Sequence, residues 1–380
     1  MLVLKAEIFL NGKFLYKDMR IQHGKITQFS RPGEMLPEPG EEVISAEGKR
    51  ILPGLVDIHT HGRSGEDFSL ADRQGLERLC RSYAACGVTS VLATVMTNEP
   101  DKIERAVRYI GDYHETAGAK LLGIHLEGPF LGKEKRGAHD EQYLRKPDMV
   151  WFQKLQKLGR NRIRLITLDP SLPGAEELIR YCQTKQVKVS LGHTACSYET
   201  ARMAAEAGAD HVTHLFNAMA PLHHREPGLI GAALDSGMYL ELICDGIHLH
   251  PSLVRLLFTA SPDKVLLISD SMPAAGCPDG MYKLGGKNVY VTDGKAVQAD
   301  GTIAGSTVSL FEAMVNAIRF GIPAEAAVYS STHLPAESIG MEQQTGNLAA
   351  GRPADFLIVS EHWELEQVYI NGEKVMAGMQ

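Results

Sequence analysis

The middle of this chain alternates short apolar runs with amphipathic stretches, and that alternation limits the available folds more than any other feature. The runs LVDIHTH (55–61), VTSVLATVM (88–96), KLLGIHLEG (120–128), RIRLITLDP (162–170), KVSLGHT (188–194), HVTHLFN (211–217), YLELICDG (239–246) and KVLLISD (264–270) read as strands. Helical patterns fall between most of them, at 72–86, 100–116, 148–158, 175–183, 198–207 and 251–260. Strands separated by helices imply a parallel sheet, and eight is the number that a (β/α)8 TIM barrel needs. Between the sixth and seventh runs stands AMAPLHHREPGLIGAALDSG, read as a functional loop and a short helix. A hairpin insert is expected near 281–298 and a further helix over 309–320.

The two ends keep a different rhythm. AEIFLNGKFL sets Asn11-Gly12 between apolar runs, and LEQVYINGEKV repeats the device with Asn371-Gly372. Asn-Gly between alternating strands signals a tight hairpin. Residues 1–51 and 345–380 are therefore expected to build a small β-sandwich domain beside a barrel spanning 52–344.

Composition excludes several partners. The 380 residues are 44% hydrophobic and 22% charged, with net charge −7 and no long basic run, which argues against nucleic acid. No segment approaches the roughly 18 continuous apolar residues of a membrane span, and the first residues lack the pattern of a signal peptide. The six cysteines include no CxxC pair and read as reduced thiols, so a cytoplasmic location is expected.

In such a barrel, chemistry sits at the C-terminal ends of the strands. There the sequence places His59 and His61, Glu127, His193, His214 and Asn217, Asp245 and His248, and Asp270. Side chains at i and i+2 of a strand share a face, so His59 and His61 aim at one point. Taken alone that pair fits either a metal site or supporting histidines. With Glu127, His193 and His214 it makes a nitrogen–oxygen donor set suited to Zn2+ or Fe2+, and affinity ordering does not choose the ion. Asp270 is the natural proton acceptor for a water activated there, the competing reading being a cap before Met272-Pro273. His125, His211 and Asp57 are read as structural or supporting residues, and His223 and His224 as loop residues.

PGLVDIHTHG (53–62), HLEGPF (125–130), LGHT (191–194), HLFNAM (214–219), REPG (225–228), DGIHL (245–249), ISDSMPAAG (268–276) and GRPADFLIV (351–359) together resemble the N-acetylglucosamine-6-phosphate deacetylase family, within the amidohydrolase superfamily. The resemblance covers essentially the whole chain and implies hydrolysis of the acetamide of a phosphorylated N-acetyl amino sugar. It implies that Glu127, His193 and His214 are the main ligands of a divalent metal and that Asp270 is the catalytic base. His139 would polarise the acetyl carbonyl. Ala138, Asn217, Ala218, Asp245, His248 and the segment Ile303, Ala304, Gly305, Ser306 would contact substrate. Arg225 would hold phosphate by reaching into a neighbouring subunit's site, making a homodimer. Because His59 and His61 are both present, one or two metal ions per subunit are expected, with Glu127 as the bridge. The fourth strand carries no lysine, which argues against relatives that use a carboxylated one. Alternatives are another N-acyl substrate on the same fold, such as N-acetylgalactosamine 6-phosphate or an N-acyl amino acid, and a non-catalytic scaffold.

Overall fold

The computed structural model describes residues 1–114 and 118–375. The eight expected strands appear as β1 (Leu55–Asp57), β2 (Val88–Met96), β3 (Lys120–Glu127), β4 (Ile163–Leu168), β5 (Lys188–Leu191), β6 (His211–Val212), β7 (Tyr239–Ile243) and β8 (Val265–Ile268). They pair in sequence order, and every pairing is parallel. Strands buried on both faces need apolar side chains throughout. All nine residues of β2 are buried accordingly. Val56, Ile58, Leu92, Leu165, Ile243 and Ile268 fill the barrel interior, and the helix His333–Ser338 adds Leu334 and Ala336 to that cluster.

Just beyond the strand ends, β8 and β1 are joined. The Asp270 N–H donates to the His59 carbonyl at 3.0 Å, and the His61 N–H donates to the Ser271 carbonyl at 2.8 Å. The buried Asp57 carboxylate accepts from Ser269 Oγ at 2.6 Å in the same seam.

Helices α1 (Arg73–Ala85), α2 (Pro100–Asp112), α3 (Met149–Leu158), α4 (Ala175–Thr184), α5 (Tyr198–Ala207), α6 (Gly228–Ser236), α7 (Pro251–Ala260) and α8 (Leu310–Arg319) follow the strands in order. Their starts are written locally: Asp72, Asp148 and Ser197 each accept a backbone N–H of the first turn, and Ser309 with Glu312 forms a capping box. Helix α2 stops short of its expected end. The Arg162 guanidinium takes the carbonyls of Ile110 and Tyr113, at 3.1 and 2.9 Å, and Tyr113 is already extended. Residues 115 and 116 of that expectation lie outside the described residues.

The terminal segments form one eight-stranded sheet that includes Leu2–Leu10, Lys13–Gln22, Lys25–Ser30, Arg50–Pro53, Phe356–Val359 and Leu365–Ile370. Its edge curls back on the C-terminal segment, where Lys25 bridges to Pro353 and the Gly351 N–H donates to the Ile26 carbonyl at 2.8 Å. Val3, Ile8, Met19, Ile26, Ile51, Phe356 and Ile358 share one core of this sheet. Alternate residues Phe9, Leu52, Leu357 and Val359 join the core of the barrel. Both Asn-Gly turns have positive φ at both residues, 50° and 78° for Asn11-Gly12 and 50° and 75° for Asn371-Gly372. Residues 376–380 of the expected domain lie outside the described residues.

The expected hairpin insert is a three-stranded antiparallel sheet, Gly280–Leu284, Lys287–Thr292 and Lys295–Val297. Its Leu284, Val289, Val291 and Ala296 pack on Met96, Met272, Ala274 and Ala304, against the C-terminal face of the barrel.

Candidate metal centre and active site

Glu127, the last residue of β3, stands at the middle of a ring of histidines. Its Oε1 lies 3.2 Å from His193 Nε2, 3.4 Å from His214 Nε2 and 3.4 Å from His59 Nε2. Its Oε2 lies 3.3 Å from both His61 Nε2 and His139 Nε2. Asp270 Oδ1 faces His61 Nε2 at 3.1 Å and His59 Nε2 at 3.5 Å. A tetrahedron with metal–ligand bonds of about 2.0–2.1 Å has edges of about 3.3–3.4 Å, so these separations are those of ligand atoms around an ion.

Two groups of donors stand out. His59, His61 and Asp270 bring one ligand atom each within 4.8 Å of one another, and so do Glu127, His139 and His193. His214 joins the second group through its 3.1 Å approach to His193. His59 Nε2 and Asp270 Oδ1 are buried and make no hydrogen bond, a costly state for polar atoms that an ion would relieve. The donor set therefore fits a divalent transition metal, with room for a second.

The electrostatics agree. Burial alone would favour protonated carboxyls. The charges of His139 and His59 nevertheless hold Glu127 well below the usual carboxylate range, and those of His59 and His61 do the same for Asp270. Burial opposes a charged His61, but the carboxylates of Asp270 and Glu127 facing its Nε2 raise it to about 9. Burial, with the neighbouring His139 and His214, lowers His193 to about 4. The cluster draws positive charge into a buried space, as a cation site must.

Backbone geometry aims these groups. His193, His214, Ala218 and Asp270 all have positive φ, at 49°, 30°, 52° and 48°. Such conformations cost about 1–3 kcal/mol each in non-glycine residues. Here they turn the chain sharply where it leaves β5, β6 and β8.

Supporting contacts fix the rings. His193 Nδ1 is 2.9 Å from the Lys135 carbonyl. His125, read as supporting, bonds Thr94 and Thr167 at 3.2 and 2.8 Å and is no ligand. His211 bonds Asp210 at 2.7 Å, away from the centre. Asp57 accepts from the His59 N–H at 3.4 Å and from Ser269. One residue escaped the sequence reading: Glu241, wholly buried in β7, whose Oε2 lies 2.8 Å from His59 Nδ1. Its only local signal is a carboxylate in the middle of an apolar strand.

A cavity of about 320 Å3 opens over the cluster, lined by Ala138, His139, Asn217, Ala218, His248, Ile303 and Gly305 among others. Four expected contacts do not line it in the single chain. The Ala304 side chain packs in the hairpin core, and Ser306 Oγ donates to the Ser269 carbonyl. Asp245 instead holds His248, with Oδ2 2.6 Å from Nδ1. Arg225 is exposed outside the cavity, with Nη1 2.8 Å from His224 Nε2.

A barrel gathering histidines and carboxylates at its strand ends defines a metal-dependent hydrolase. Residues 50–375 match the Amidohydrolase family, and the chain belongs to it. It is 37% identical to the N-acetylglucosamine-6-phosphate deacetylase of Bacillus subtilis (strain 168), over 96% of this chain and 92% of that one. It is 35% identical to the N-acetylgalactosamine-6-phosphate deacetylase of Escherichia coli O157:H7, over 87% and 89%. A solved mutant of the Mycobacterium smegmatis N-acetyl-D-glucosamine-6-phosphate deacetylase, in complex with N-acetyl-D-glucosamine 6-phosphate, superposes with TM-score 0.92 at 30% identity, covering 99% of both chains.

Proposed function

We propose that this chain hydrolyses the acetamide of N-acetyl-D-glucosamine 6-phosphate to D-glucosamine 6-phosphate and acetate. The observation that carries the reading is the Glu127 carboxylate ringed by five histidine Nε2 atoms, with Asp270 alongside, at the floor of a sugar-sized cavity. Glu127, His193 and His214 would hold one divalent ion, Zn2+ or Fe2+ by donor type, and His59, His61 and Asp270 a second. Such an ion, when bound, supplies Lewis-acid polarisation and makes water a nucleophile near neutral pH.

The chain's own groups perform the proton work. Asp270, kept ionised by His59 and His61, accepts a proton from the attacking water and returns it to the departing amine as the C–N bond breaks. His139 directs Nε2 into the same space and donates to the carbonyl oxygen as negative charge develops on it. Asn217, Ala218, His248, Ile303 and Gly305 surround the sugar.

No Lys or Arg lines the cavity among the described residues, yet a phosphate dianion needs a cation. Arg225, exposed and outside the cavity of its own chain, would meet that need from the partner of a homodimer. Cys182, Cys196 and Cys244, buried and outside any disulfide, support a reducing, cytoplasmic setting. The Escherichia coli relative favours a second reading, N-acetylgalactosamine 6-phosphate. Acetate release from both phosphosugars and from unphosphorylated N-acetylglucosamine tests the choice. A marked preference for N-acetylglucosamine 6-phosphate is expected, and equal rates with and without phosphate would remove the anchoring role of Arg225.

A further inference from the structure

We infer that Glu241 is the positioning residue that sets occupancy of the second metal position, the one formed by His59, His61 and Asp270. This rests on the two-position reading proposed above. Glu241 lies in β7, wholly buried. Its Oε2 is 2.8 Å from His59 Nδ1 and 3.3 Å from the His214 backbone N–H, while its Oε1 has no hydrogen-bond partner. The His214 N–H contact also ties it to the turn that carries a ligand of the first position. Among the described residues no Lys or Arg is hydrogen-bonded or salt-bridged to it.

A buried carboxylate with no Lys or Arg beside it is expensive, and the side chain it meets is the His59 imidazole. The geometry gives it a task. In the neutral, metal-ligating form of His59, Glu241 accepts the Nδ1 proton and so fixes the tautomer that leaves the Nε2 lone pair on the side of Asp270 Oδ1, at 3.5 Å, and Glu127 Oε1, at 3.4 Å. A carboxylate behind a ligating imidazole also raises its basicity, and losing such a partner typically weakens metal binding by about 10–100-fold. His61 has no equivalent, since its Nδ1 is buried without a partner. His59 and His61 both face Glu127 and Asp270, and of the two it is His59 that has a carboxylate behind its ring, that of Glu241.

The test measures metal rather than turnover. The full-length chain, loaded with Zn2+, is dialysed against graded concentrations of a chelator, and bound zinc per chain is counted for the native protein, Glu241→Gln, His59→Gln and the double variant. Two ions are expected in the native protein. Glu241→Gln should release one of them at roughly 10–100-fold lower chelator concentration and keep the other. In the His59→Gln background the Glu241→Gln change should have less than about a twofold further effect, because its route of action is gone. Native-like affinity in Glu241→Gln, or an equal loss whether or not His59 is present, would overturn the inference. So would a single ion in the native protein. Should Glu241→Gln fail to fold, Glu241→Asp, which keeps the charge but retracts it by one methylene, is read against the same outcomes. Zinc is counted without substrate, so a failure of the deacetylase reading leaves this result unaffected.

Discussion

His193 and His214 bring their Nε2 atoms to 3.1 Å of each other, both within 3.4 Å of Glu127 Oε1. Two imidazole nitrogens and a carboxylate that close are placed as donors to a shared cation. Ligand binding to the folded state alone stabilises it by about 2.7 kcal/mol at a hundredfold excess over Kd. Complete removal of metal by a chelator should therefore lower Tm by several degrees, and Zn2+ should restore it. Calorimetry of the two forms checks this, and identical Tm values would argue against a resident ion.

Asp270→Asn keeps the size of the side chain and removes its ability to take a proton. Glu127, His193 and His214 are untouched, so at least one ion should remain bound. Loss of a general base costs about 10²-fold or more in kcat. Single-turnover measurements alongside zinc analysis would show it, and near-normal turnover would reassign the base.

Most of this arrangement was legible in the sequence because barrel strands must be apolar. A His, Glu or Asp at the end of such a strand is conspicuous, which is why His59, His61, Glu127, His193, His214 and Asp270 were read together and converge. Glu241 was not legible: its partner His59 lies 182 residues away, and only closure of the barrel brings them together. The segment 303–306 was read as a block, but the folded chain turns Ile303 and Gly305 to the cavity while Ala304 packs in the hairpin core. Ser306 is tied down at Ser269. Motif matching does not see which residues of a segment face the cavity.

The hairpin insert holds the loop that carries His139. Lys287 Nζ donates to the His139 carbonyl at 3.4 Å, and Gln298 Nε2 donates to the Ala138 carbonyl at 3.1 Å. Lys287→Met with Gln298→Ala should let that loop drift and misplace a group needed mainly in the transition state. A fall in kcat of about tenfold, equivalent to about 1.4 kcal/mol, with a smaller change in KM is expected. Lys287→Arg should restore much of it. Steady-state kinetics would decide, and a pure KM effect would place the contact in substrate binding instead.

Asp245 tunes the charge on His248. Burial works against a charged imidazole there, but the hydrogen bond and charge of Asp245, 2.6 Å away, raise His248 above its ordinary 6.5. A raised folded-state value means this contribution to stability is full below pH 6.5 and is lost as pH rises through the folded value. For a phosphorylated substrate, the same proton supplies positive charge to the cavity. KM in the native protein should therefore stay low past pH 6.5 and climb as pH rises through the raised folded value. Asp245→Asn removes the support and leaves burial in control, so the climb should begin at lower pH while kcat changes less. KM profiles from about pH 5.5 to 9 on both proteins test this, and superimposable curves would show that His248 carries no charge relevant to binding.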